Sequence, residues 1–163
     1  MKKILLILMV MFAFALQDSY AQDALKIVTN HPDFDVKVKR CAMNGKTLII
    51  DMIFTNKGVK DVMIGIVAGQ GMGYSEIYDG EGNNYKGQNG RIKVKIANSG
   101  GYQGAVENYR LLPGIPVKVS FCINDFDEAA ENVAYFGGVI NCKEWGLPDV
   151  DKYLIIRNIP ITR

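Results

Sequence analysis

Asp79, Glu81 and Asn83 place three oxygen-bearing side chains at alternate positions of the stretch DGEGN. Alternating oxygens on a tight loop are what a hard cation such as calcium requires, so these residues are a candidate metal site. The same residues also spell a turn, with Gly80 and Gly82 supplying positive φ and the Asp79 side chain closing it. A calcium loop of the helical-hand kind needs a distal bidentate glutamate, and residue 90 is glycine, so the turn is the expected role.

A second acidic group is Asp125, Asp127, Glu128 and Glu131. Paired carboxylates act as general acid and base when their environments drive their pKa values apart. In one short connection between strands, these four are instead expected to be solvated. His31, the only histidine, precedes Pro32, and nothing in its spacing brings it to a cysteine for nucleophilic chemistry. Cys41, Cys122 and Cys142 match no zinc spacing. There is no nucleophile elbow, phosphate-binding loop or dinucleotide fingerprint, so no catalytic residues and no resident cofactor are expected. The remaining chemistry is aromatic. Tyr74, Tyr78, Tyr85, Tyr102, Tyr109 and Trp145 fall in loops or at strand ends, where they either stack on a ligand or cover core edges.

The compartment is written in residues 1–21. Lys2 and Lys3 precede an apolar run over residues 4–16, and Ser19-Tyr20-Ala21 supplies the small residues a signal peptidase needs. The run is too short to anchor in a bilayer and no second one follows, so residues 22–163 are expected to be exported without a transmembrane anchor, to the periplasm or beyond. Taking Lys2, Lys3 and Asp18 from totals of 19 basic and 17 acidic residues leaves a net charge of +1. A near-neutral chain has no electrostatic bias toward nucleic acid. An oxidising compartment permits one disulfide among three cysteines. If Cys122 and Cys142 lie at opposite ends of a hairpin they cannot bridge, which leaves Cys41 with Cys122 or Cys142, or three free thiols.

The elements that must carry these residues read as strands. Phe34, Val36 and Val38 alternate with Asp35, Lys37 and Lys39, and Asn44-Gly45 then makes a hairpin turn. Residues 48–55 are apolar on both faces, which places that strand centrally in its sheet. Strands are also expected at 59–68, 74–78, 133–140 and 153–161. In residues 117–123, Val117, Val119, Phe121 and Ile123 face inward, with Lys118, Ser120 and Cys122 opposite. Residues 125–132 are expected to make one helical turn. Residues 86–104, with glycines around Arg91-Ile92-Lys93-Val94-Lys95-Ile96, read as an exposed hairpin or edge excursion. No window carries a three-turn helix, and recurrent short strands with Gly, Pro and Asn-Gly punctuation give one all-β domain, an antiparallel sandwich of about 7–9 strands.

The segments LIIDMIFTN (48–56), YDGEGNNY (78–85), LPGIPV (112–117) and IIRNIPI (155–161) resemble small immunoglobulin-like sandwich domains of exported bacterial proteins. In those domains an Asp-x-x-Gly-Asn-x-Tyr stretch turns one strand into the next, and a Leu-Pro-x-x-Pro stretch leads into a late core strand. The resemblance implies the immunoglobulin-like fold and leaves the role open, because such sandwiches host unrelated functions. The function expected is a non-catalytic exported module that binds a protein or glycan at the cell surface or serves the cell envelope. The alternatives are a small secreted hydrolase using the acidic loop and a calcium-stabilised structural domain.

Overall fold

The computed structural model describes residues 25–29, 34–69, 74–143 and 150–163. Residues 1–21, His31 and Trp145 lie outside them, as do the side chains of Cys142 and residues 150–153.

The described residues form eleven antiparallel strands in two facing sheets, two more than the longest count expected. The small sheet runs β2 (Phe34–Asn44), β3 (Thr47–Asn56), β9 (Pro116–Ile123) and β7 (Ile92–Ile96), in the order β2-β3-β9-β7. The large sheet is built on β10 (Asn132–Lys143). One edge of β10 takes β11 (Val150–Pro160), which pairs in turn with β1 (Lys26–Thr29). The other edge is shared: β4 (Val62–Val67) takes residues 139–143 and β5 (Glu76–Asp79) takes 133–137. Outside them lie β8 (Ala105–Leu111) against β4 and β6 (Asn84–Lys86) against β5.

Period-two patterning explains which faces meet. From β3 come Leu48, Ile50, Met52 and Phe54, and from β9 Val119, Phe121 and Ile123, all buried. The opposing sheet contributes Ile64, Ile66, Ile77, Phe136, Leu154 and Ile156. Phe121 and Phe136 meet edge to face across the gap, with ring centroids 4.8 Å apart, a geometry that adds about 1 kcal/mol to their burial. As expected, β3 is a central strand, flanked by β2 and β9.

Several local expectations are corrected. The hairpin tip is Gly45-Lys46, because Asn44 pairs with Thr47 and Gly45 takes φ 55, which suits glycine at the first turn position. A bulge between Val38 and Arg40 switches the facing of β2, so Cys41 points inward where simple alternation would send it out. Residues 125–132 hold a single turn and no helix, closed by Ala130 N–H donating to the Asp127 carbonyl. Residues 92–96 are no loose excursion. Ile92, Val94 and Ile96 are fully buried, and the segment closes the small sheet as β7.

Asn56 ties two loops together at one end of the sandwich. Its side-chain amide donates to the Lys60 carbonyl at 2.8 Å and the Leu111 carbonyl at 3.2 Å, and its own carbonyl accepts Gly114 N–H at 2.7 Å.

Candidate functional site

The β5–β6 hairpin shows what the DGEGN stretch does. Asp79 Oδ1 accepts the N–H groups of Glu81 at 3.0 Å and Asn83 at 2.9 Å. Its Oδ2 accepts the Asn83 side-chain amide and the Tyr85 hydroxyl, each at 2.9 Å. Both oxygens are thus engaged by donors, and Asp79 is buried while Glu81 is exposed and the Asn83 amide is turned back onto Asp79. The three do not converge as a ligand set, and the arrangement is that of a turn, with Gly82 at φ 87. Burial raises the Asp79 pKa, but the hydrogen bonds from Asn83, Tyr85 and the Glu81 amide outweigh it and hold the carboxyl below its ordinary value.

Tyr85 carries this anchor across to the next loop. It is buried, the core-covering one of the two roles expected for the tyrosines, and its ring stacks on Phe126 at a centroid distance of 4.4 Å. Its hydroxyl oxygen accepts Asp127 N–H at 3.2 Å. The Arg91 guanidinium lies 4.7 Å from the same ring and donates to the carbonyls of Asn124 at 3.2 Å and Asp125 at 2.7 Å.

Beside this framework lies a depression of about 530 Å³, lined by Asn84, Lys86, Gln88, Asn89, Gly90, Arg91, Asn124 and Asp125. No apolar side chain lines it. Two residues on its rim, Asn89 at φ 59 and Asp125 at φ 53, hold the left-handed backbone that Asn and Asp tolerate best. Of the acidic group only Asp125 reaches the depression; Asp127 caps its own turn by accepting Ala129 N–H at 2.8 Å, and Glu128 and Glu131 are exposed.

The remaining tyrosines do not form one patch. Tyr78 meets Tyr135 edge to face at 5.9 Å on the outside of the large sheet, where Arg157 lies over Tyr135. Tyr109 packs against the core and Tyr74 is half-buried. Tyr102 reaches Ser120 on the outer face of the small sheet. On that face Ser120 Oγ donates to Asp51 Oδ1 at 2.7 Å, while Arg40 at 3.0 Å and Lys118 at 3.1 Å pair with Asp51 Oδ2. Burial raises the Asp51 pKa, and the Ser120 and Lys118 hydrogen bonds with the Lys118 and Arg40 charges more than reverse it. A carboxylate held low in this way is a poor base for activating Ser120.

Cys41 and Cys122 are free thiols. Cys41 opposes Ile50 and Cys122 opposes Ile49, so the two leave opposite faces of the small sheet with β3 between them. Their bridging is sterically barred, and Cys41 carries no disulfide to Cys142 either. Cys122 and Cys142 are not hairpin neighbours, since β9 and β10 belong to different sheets. Burial pushes the Cys41 thiol up to about 12, against an ordinary 9.0. Maleimide should therefore modify native Cys41 on the order of 10³-fold more slowly than an exposed thiol, with half-exposed Cys122 modified first. Peptide mapping after timed quenching reads this order, and equal rates at the two sites would contradict it.

Asn84, Lys86, Gln88, Asn89, Arg91 and Asn124 were not expected as site residues, because single polar residues of loops 33 positions apart carry no spacing signal. Among the described residues no group of three or more His, Cys, Asp or Glu side chains gathers as metal ligands, and no helix is long and apolar enough to cross a membrane. No protein-family model matches the chain, and no curated protein matches it.

Proposed function

We propose that this chain is an exported, non-catalytic β-sandwich that acts through its surface as a binding or cell-envelope module, with a glycan seated in the depression beside Arg91. One observation carries the reading: the depression is lined by the amides of Asn84, Gln88, Asn89 and Asn124 together with Lys86, Arg91 and Asp125. Amides donate and accept side by side, which suits a ligand covered in hydroxyl groups. Arg91 is held in place by two carbonyls and the Tyr85 ring, so part of the ordering cost of binding is met before a ligand arrives. The hydrolase alternative is less well supported, since only one carboxylate, Asp125, lines the depression and a glycosidase needs two.

A glycan array probed with residues 22–163 tests the proposal. The wild type should retain at least one glycan, and Gln88→Ala/Asn124→Ala should weaken it at least tenfold with an unchanged melting temperature. Wild-type protein that binds no glycan, or that hydrolyses a chromogenic glycoside, would overturn it.

A further inference from the structure

The outer face of the small sheet gathers charge that the sequence total conceals. Strand register sets Lys95, Ser120, Asp51 and Arg40 in one row across all four strands. Lys93, Cys122, Ile49 and Ala42 form the row on one side, and Lys118, Ile53 and Lys37 the row on the other. Side chains of directly opposed residues leave the same face of a sheet, so Lys37, Arg40, Lys93, Lys95 and Lys118 all stand on it. The anions there are Asp35 and Asp51. Asp35 faces Lys37 and Lys57, each at 3.7 Å, and Asp51 is buried beneath Arg40 and Lys118. Among the described residues, these five cations and two anions give the face +3, more than the +1 of residues 22–163.

We infer that this face docks an anionic polysaccharide, its carboxylate or sulfate groups pairing with the lysine rows. The cations repeat at about 7 Å along β7 and stand on strands about 4.8 Å apart, a two-dimensional array that suits a polymer with charges at regular intervals. Ser120, Thr55 and the Tyr102 hydroxyl lie among them as neutral partners for sugar hydroxyls. Single-stranded nucleic acid is the poorer fit, because its bases stack on several aromatic rings and among the described residues Tyr102 is the one ring placed here. A bilayer is also a poorer fit, since Ile49 and Ile53, the large apolar residues of these rows, are already half-buried between the lysines. This inference does not rest on the depression beside Arg91, which takes a different ligand, although Gly90 on its rim lies beside the Lys93 side chain.

The test titrates polyuronate into residues 22–163 at low salt, with neutral dextran, single-stranded DNA and anionic vesicles as parallel probes. Polyuronate should bind, neutral dextran should not, and raising salt from about 50 to 500 mM should weaken binding at least tenfold as the charges are screened. Lys93→Glu/Lys95→Glu should weaken it at least tenfold at unchanged melting temperature, and Lys93→Gln/Lys95→Gln should do so by a smaller factor if the reversal disturbs the edge strand. A charge-matched pair on other surfaces, Lys26→Glu/Lys60→Glu, should leave it within about twofold by the same screening argument. Polyuronate binding that survives both β7 variants, absence of binding by the wild type, or tighter binding of DNA or vesicles would each overturn the inference.

Discussion

Gly87→Ala is expected to leave the chain without a cooperative fold. Gly87 sits at φ −65 and ψ −7, which alanine adopts without strain, so backbone conformation is not the obstacle. The obstacle is steric. A Cβ there would run into the Ala68 carbonyl oxygen and stand 2.9 Å from the Gly69 Cα, both of them backbone atoms. Neither can rotate aside. Ala68 and Gly69 N–H groups both donate to the Gly104 carbonyl at 2.8 Å, Ser75 N–H donates to the Ala68 carbonyl at 3.1 Å, and Gly87 N–H donates to the Ser75 carbonyl at 2.9 Å. The crossing thus locks the end of β4, the approach to β5, the exit from β6 and the entry to β8 at one point. Relief requires moving a backbone that all four share, a disturbance in the class that costs more than about 4 kcal/mol. Chemical denaturation should show no native baseline. Gly82→Ala is the internal control: φ 87 strains it, but nothing lies within 4 Å, so a loss of about 1 kcal/mol is expected. Equal stabilities for the two variants would refute the argument.

Asp79→Ala is expected to cost about 3 kcal/mol, the penalty for leaving a buried tyrosine hydroxyl and the turn amides without an acceptor. Asp79→Asn should cost about 2 kcal/mol, because one acceptor oxygen survives but the new amide faces other donors. The pH dependence follows from the depressed folded-state values of Asp79 and Asp51. A carboxyl titrating lower in the folded than in the unfolded chain stabilises the fold above the unfolded value near 3.9, and that stabilisation is lost as pH falls through the folded value. The gap between wild type and Asp79→Ala should therefore shrink between pH 7 and pH 3. A gap that is constant over that range in urea titrations would show that the charge of Asp79 does not matter. Because every strong acceptor position on Asp79 is already engaged by a donor, added chelator should leave the melting temperature unchanged.

Much of the sandwich was legible because its core strands obey period two. Val119, Phe121 and Ile123 alternate with Lys118, Ser120 and Cys122 in the sequence as they do across the sheet. The bulge at Val38–Arg40 was not legible, since an extra residue changes facing without changing composition. Nor was the place of β7. Its glycine-rich flanks read as loose, yet Ile92, Val94 and Ile96 needed only a partner strand to be buried, and β9 supplies it. The depression was invisible for a different reason. Arg91 and Asn124 meet only because β7 and β9 are neighbours, and pairing partners distant in sequence leave no local trace. Tyr85 takes the core-covering role of the two the sequence left open, because its ring is apolar enough to bury once Asp79 satisfies its hydroxyl.

The position of β11 has a consequence for how the molecule is made. It lies between β1 and β10, and β1, near the opposite end of the described chain, pairs with it in the large sheet. Every other described strand precedes β11 in the chain, so without β11 one side of β10 is open and β1 has no partner in that sheet. Closing a sheet through contacts so distant along the chain is slow, on a scale of milliseconds to seconds. The small sheet needs no part of β11, so completion of the large sheet is the step that the distant β1–β11 pairing delays.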